Sequence, residues 1–122
     1  MPYQLTLEEH PAYLHAKVSG THSPENLLRF LREAYAACME RGQSALLLEV
    51  AFSGPSLDVT SIFGVILEGS ADAVKLGKIG YVDASPRDPE RMRFAETVAL
   101  NRGVNVRLFR DIDSARKWMS DA

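Results

Sequence analysis

The apolar run at residues 45–52, ALLLEVAF, constrains the fold of this 122-residue chain more than any other feature. The run has the length of a strand, and Glu49 is its single charged residue. A strand that is apolar on both of its faces is typical of the centre of a sheet that is covered on both sides. The turn sequence SGPS at residues 53–56 ends the run. It therefore predicts a central strand in a layered α/β fold.

Strand patterns and helix signals alternate along the rest of the chain. Residues 3–7 and 12–18 alternate apolar and polar side chains on either side of His10-Pro11, which predicts a β-hairpin. Ser23-Pro24 and Asp88-Pro89 each place a capping side chain before a proline at the first helical position. The other predicted elements are the ends of these two helices at Gly42 and Gly103, a helix at about 58–74, strands at 78–82 and 104–109, and a last helix capped by Asp111 or Asp113.

The resulting order, ββαβαβαβα, predicts a mostly parallel five-stranded sheet with four helices. From the second strand onward strands and helices alternate, and such units fold as right-handed crossovers onto a parallel sheet. The first strand is expected to be an antiparallel edge strand. No linker, repeat or low-complexity segment interrupts the pattern, so residues 1–122 are predicted to form one domain.

Charge and cysteine content argue against several classes of protein. The net charge is -2, whereas domains that bind nucleic acid through its phosphates carry a basic excess. Residues 1–74 hold 4 of the 14 basic and 9 of the 16 acidic side chains, so the rest of the chain is mildly basic. This charge is suitable for binding an anion or an acidic partner, or it belongs to a solvated, salt-bridged surface. The single cysteine, Cys38, and the lack of an export signal predict a cytoplasmic protein. No apolar stretch is longer than that at 62–67, which is far shorter than the roughly 20 residues of a membrane-spanning helix, so no integral membrane association is predicted.

The C-terminal half carries a family resemblance in KIGYV at residues 78–82 and RGVNVRLFRD at residues 102–111, followed by Ala115 and Trp118. With these motifs in the predicted element order, the chain resembles STAS domains, and among them the SpoIIAA-like family of small stand-alone bacterial proteins. The resemblance covers nearly the whole chain. It implies the STAS fold and a non-enzymatic role in binding another protein.

STAS domains that antagonise anti-sigma factors carry a phosphorylatable serine at the start of the second helix, in a segment like Asp-Ser-Ser-Gly-Leu-Gly-Val-Ile-Leu. Alignment on GVIL at residues 64–67 places Thr60 at the phosphoacceptor position, with Ser61 beside it. The preceding acid falls one place early, at Asp58, and Ile62 replaces the first glycine. The resemblance thus implies Thr60 or Ser61 as the phosphoacceptor.

General physical arguments point to the same helix start. Ligands of open α/β sheets collect at the carboxyl ends of the strands, which here are followed by loops at 53–58 and 83–88. The first turn of a helix favours a negative group, and Arg87 and Arg91 are predicted to face such an anion. The alternatives are a small-anion site and a purely structural role, in which Asp58, Thr60 or Ser61 only caps the helix.

The apolar residues at 62–67 are too many for one narrow core-facing stripe, although burial of most of them is the simpler interpretation. We therefore predict that some of them are exposed for a partner, on a surface formed by Asp58, Ile62, Phe63 and Ile66. Self-association through that surface stays open. The alternative function is binding of a small apolar ligand, or of a lipid or membrane surface, through residues 62–67.

No catalytic, metal or cofactor site is predicted. His10, His15 and His22 show no regular metal-ligand spacing and are interpreted as scattered surface histidines. Cys38 falls on the apolar face of a helix, as expected for a small buried side chain and not for a reactive thiolate. No glycine-rich nucleotide-binding loop is present in the sequence. The prediction is a regulatory, protein-binding module rather than an enzyme.

Overall fold

The computed structural model describes residues 3–83 and 88–121. Within them the elements follow the order predicted from the sequence: β1 (Tyr3–Glu9), β2 (Leu14–Thr21), α1 (Pro24–Glu40), β3 (Ala45–Ser53), α2 (Val59–Ala73), β4 (Lys78–Asp83), α3 (Pro89–Asn101), β5 (Val106–Phe109) and α4 (Ile112–Ser120). The predicted α/β class and element order are confirmed.

The strands pair in sequence order, β1-β2-β3-β4-β5, in one five-stranded sheet. β1 is the antiparallel edge strand that the sequence predicted, with Leu5 opposite Val18. The other neighbours pair in parallel, and Leu48 of the central strand lies between Ala16 and Tyr81. The apolar run at 45–52 is therefore the centre of the sheet.

Helices α1, α2 and α3 cover one face of the sheet, and α4 covers the other. Each of the three crossover connections places the next parallel strand on the same side of the previous one. Because such connections share one handedness, the helices that they contain lie on the same face of the sheet. The larger core includes Leu46, Leu48 and Val50 of β3, whereas Leu47 points to the smaller core beneath α4. Alternate residues of the apolar run thus supply both cores.

Each helix begins at a capping side chain of the predicted kind. The backbone N–H of Asn26 donates to Ser23 Oγ at 3.1 Å, and that of Ser114 donates to Asp111 Oδ1 at 2.7 Å. Asp111 and not Asp113 is therefore the cap of α4. Gly42 and Gly103 have positive φ angles of 68° and 85° after α1 and α3, as their predicted roles at helix ends require.

The last strand begins two residues later than the sequence predicted. The backbone N–H of Val104 donates to Ala99 O at 3.0 Å. Val104 is therefore part of the C-terminal cap of α3 and does not pair with a strand of the sheet. The prediction mistook an apolar residue that ends a helix for the start of the next strand.

Helix α3 packs differently from the other helices. α1 buries seven of its residues, whereas none of the side chains of α3 is buried. α3 therefore rests against α2 and β5 with half-buried side chains such as Ala99, and none of its side chains is fully buried. None of the described helices is long and apolar enough to cross a membrane.

Candidate functional site

The start of α2 is held by Asp58. Its Oδ1 accepts the backbone N–H of Ser61 at 2.7 Å, so Asp58 is the cap among the three candidates that the sequence offered. Hydrogen bonds from the backbone and side chain of Ser61, aided by the nearby charge of Arg91, hold the pKa of Asp58 below its usual value. The hydroxyl of Thr60 is therefore not required as the helix cap.

The outer side of this helix start is exposed and partly apolar. Val59 is 48% exposed and Phe63 is 43% exposed. They are four residues apart, so their side chains lie on one face of the helix. Thr60 is also exposed, whereas Ser61 is partly buried. We call the surface formed by Asp58, Val59, Thr60 and Phe63 the α2 tip.

Arg91 of α3 reaches the loop that precedes α2. Its Nη1 donates to the carbonyl oxygens of Ser56 at 3.3 Å and Leu57 at 3.1 Å, and its Nε lies 3.5 Å from Asp88 Oδ2. The guanidinium group thus braces the loop and adds positive charge beside the start of α2. That Arg91 faces a bound anion stays a prediction, and Arg87 lies outside the described residues.

An apolar cavity of about 120 Å³ lies between α2, α3 and the sheet. Ile62 and Ile66 of α2 line it, together with Tyr35 and Ala95. The predicted partner surface therefore divides in two. Asp58 and Phe63 face outward as expected, whereas Ile62 and Ile66 are half-buried and belong to the cavity wall. We call this space the α2–α3 cavity.

Small side chains account for the α2–α3 cavity. Gly69 and Ala73 of α2 and Ala95 and Ala99 of α3 all line it. Because these residues are short, the two helices leave space where larger side chains would fill the core. The sequence prediction missed the cavity, and its only signal was this series of small residues in α2 and α3.

The prediction that the three histidines are scattered over the surface is wrong for His10 and His15, which lie together. His15 is buried, and it lies beside His10 and Glu8 at the end of the β1–β2 hairpin. His22 is separate from them, stacks on Phe52 with 5.6 Å between ring centroids, and lines the α2–α3 cavity. The hairpin register brings the first two histidines together, although they are five residues apart in the chain.

Cys38 lies on the buried face of α1, within the larger core, as its position in the apolar pattern predicted. Its thiol donates to Gln43 O at 3.3 Å. Burial raises the pKa of Cys38 to about 11, so the reactive thiolate is scarce at neutral pH. A role as a nucleophile is therefore disfavoured on physical grounds.

Comparison with known proteins shows similarity at the level of the fold. No protein-family model matches the sequence, and no curated protein matches it. Among solved structures, the chain is similar to an anti-sigma factor antagonist from Mycobacterium paratuberculosis, with 20% sequence identity and a TM-score of 0.60. The alignment covers 98% of this chain and 96% of that one. This similarity confirms the fold that the resemblance to SpoIIAA-like STAS domains implied.

Proposed function

We propose that this chain is a non-enzymatic interaction module of the anti-sigma factor antagonist type, which acts in the cytoplasm through the α2 tip. The proposal is supported by a fold shared along nearly the full length of a protein described as an anti-sigma factor antagonist. The observation that carries it is the exposure of Val59 and Phe63 beside the helix cap. Aromatic side chains are frequent anchors of protein interfaces, and an exposed pair of apolar residues provides a suitable contact.

Thr60 is the better placed of the two proposed phosphoacceptors. Its side chain is exposed beside Val59 and Phe63, whereas Ser61 hydrogen-bonds to Asp58. A phosphate on Thr60 adds close to two negative charges beside an apolar contact and the carboxylate of Asp58. We therefore propose that phosphorylation of Thr60 weakens the binding of an anti-sigma factor to the α2 tip.

The test measures the affinity of the tag-free protein for candidate anti-sigma factors from the source cell by biolayer interferometry. Phe63→Ala is expected to lower the affinity at least tenfold, since a buried aromatic anchor contributes about 1.4 kcal/mol or more. Leu100→Ala is the matched control, because Leu100 is 51% exposed, against 43% for Phe63, but lies on α3. Equal affinities of wild type and Phe63→Ala contradict the proposal. A dimer that Phe63→Ala converts to a monomer assigns the surface to self-association instead.

The phosphorylation step has its own pair of variants. Thr60→Glu adds a negative charge and is expected to weaken binding, whereas Thr60→Gln has a similar size without the charge and should bind nearly as wild type. If both variants lose the same affinity, the effect is steric, and the α2 tip is a docking surface without a charge switch.

The α2–α3 cavity supports a second candidate function, the binding of a small apolar molecule. Its volume of about 120 Å³ is comparable with apolar cavities of roughly 150 Å³ that bind benzene. Benzene and indole are suitable probes, and ligand-observed NMR detects their binding. Ala95→Leu fills the space and should abolish binding, whereas Ala36→Leu on the exposed side of α1 should not. Binding that survives Ala95→Leu places the molecule elsewhere.

A further inference from the structure

The end of the β1–β2 hairpin gathers three side chains that can bind a metal ion. Glu8 and His15 are directly opposite each other in the antiparallel register, so their side chains lie on the same face of the sheet. His10 follows Glu8 by two positions, and its ring stacks on Tyr13 with 4.6 Å between centroids. One donor atom from each of Glu8, His10 and His15 lies within 4.8 Å of the others.

His15 is the fixed member of this group. Only 6% of the residue is exposed, and its Nε2 lies 2.8 Å from Glu49 Oε1 on β3. Its Nδ1 is buried and has no hydrogen-bond partner among the described residues. A buried ring nitrogen without a partner is costly unless it binds something.

His10 presents a second nitrogen of the same kind. Its Nε2 is buried and has no partner in hydrogen-bond geometry within the described part of the chain. Glu8 Oε1 lies 2.7 Å from this nitrogen, so the carboxylate and the imidazole are already in contact. Two imidazole nitrogens next to one carboxylate form the donor set of many transition-metal sites.

We propose that Glu8, His10 and His15 bind a divalent transition-metal ion of the Zn²⁺ type. Glu49 accepts the Nε2–H of His15, which fixes the neutral tautomer and leaves the Nδ1 lone pair available to the metal. His10 binds through Nε2 and Glu8 through a carboxylate oxygen. The donor set contains two nitrogens, so Zn²⁺, Ni²⁺ and Cu²⁺ are favoured over Mg²⁺ and Ca²⁺, which prefer oxygen ligands.

The site closes around the ion by small movements of its exposed members. Ligand atoms at about 2.0–2.1 Å from tetrahedral zinc are roughly 3.4 Å apart. Glu8 Oε1 and His10 Nε2, now 2.7 Å apart, therefore separate slightly, and the remaining donor distances, all within 4.8 Å, adjust toward the same value. The side chain of Glu8 is 61% exposed and can rotate, whereas that of His10 is 28% exposed and shifts within its stack on Tyr13. His15 stays in place because Glu49 holds it. Three protein ligands leave a fourth position for water or another small ligand.

The test is isothermal titration calorimetry, in which tag-free protein is titrated with ZnCl₂ to measure the stoichiometry and affinity of binding. Wild type is expected to bind one Zn²⁺ per chain with micromolar or tighter affinity. Glu8→Gln should weaken binding at least tenfold, whereas Glu9→Gln, at the next residue, should stay within twofold of wild type. Both glutamates are exposed, so neither change should unfold the protein.

Two further variants test the histidines and the orienting carboxylate. His10→Gln should weaken binding at least tenfold, and His22→Gln is the control. Glu49→Gln should weaken Zn²⁺ binding by about 10-fold to 100-fold, which is the usual effect of losing a partner that orients a ligand. ¹⁵N NMR of the imidazoles should show the His15 Nδ1 resonance shifting on addition of Zn²⁺. The absence of binding, or equal losses in Glu8→Gln and Glu9→Gln, overturns the proposal and leaves a hydrogen-bonded cluster only.

Discussion

Filling the α2–α3 cavity should stabilise the protein. Ala95→Leu adds three carbon groups to a side chain that lines the cavity, and each buried group contributes about 0.8 kcal/mol. The transfer gain is then about 2.4 kcal/mol, from which about 0.5–1 kcal/mol is lost by fixing the leucine rotamer. We expect the free energy of unfolding to rise by about 1.5 kcal/mol.

Urea unfolding followed by circular dichroism measures the change. Ala36→Leu is the control, because Ala36 lies on the exposed side of α1 and the same substitution there buries little area. The control should change the free energy of unfolding by less than about 0.5 kcal/mol. For a domain of this length, Ala95→Leu should raise Tm by about 5 °C.

A loss of stability in Ala95→Leu would refute this reasoning. Overpacking of a filled core costs about 1–3 kcal/mol, so a destabilised variant means that α3 lies closer to the sheet in solution and leaves no free space. The second candidate function would then lose its binding site. The proposal for the α2 tip would be unaffected, because Val59 and Phe63 lie on the outer side of α2.

Further outcomes follow from single side chains. Burial raises the pKa of Cys38 from 9.0 to about 11, so its neutral thiol stabilises the fold fully below pH 9.0. This contribution is lost as the pH rises through about 11, and the urea midpoint of unfolding should fall across that range. Lys78 Nζ donates to two carbonyl oxygens at the end of α4, at 2.6 Å and 3.0 Å. Lys78→Met should therefore lower the free energy of unfolding by about 1–2 kcal/mol, whereas Lys75→Met on the exposed surface should lower it far less. A methyl group on Gly80 would lie 3.0 Å from a methionine sulfur of α4, so calorimetry of Gly80→Ala should show a loss of about 1 kcal/mol. Gly64 in α2 has open space around it, and Gly64→Ala should gain about 0.5–1 kcal/mol.

Local signals along the chain were sufficient to predict the fold. The apolar run at 45–52 identified the central strand, and Ser23-Pro24 and Asp88-Pro89 marked two helix starts that the structure confirms. These signals act over a few residues, so a single sequence contains them. The start of β5 was misplaced because Val104 has the apolar character of a strand residue but uses its N–H to close α3.

The sites were harder to predict because they depend on distances across the fold. A two-residue turn at Pro11-Ala12 would place His10 opposite Tyr13 and Glu8 opposite His15, and the sequence prediction did not follow that register through. The α2–α3 cavity gave no comparable signal. Its volume depends on how closely two helices approach, which the spacing of apolar residues does not specify.

The weak anchoring of α3 separates its dynamics from those of the rest of the chain. Because none of its side chains is fully buried, we expect α3 to detach from the sheet at a free-energy cost below that of global unfolding. Its amide hydrogens should therefore exchange with solvent earlier than those of α1 and β3. Such a local opening gives a small molecule a route to the α2–α3 cavity while the sheet and the hairpin cluster remain folded, and it releases the Arg91 hydrogen bonds that brace the loop before α2.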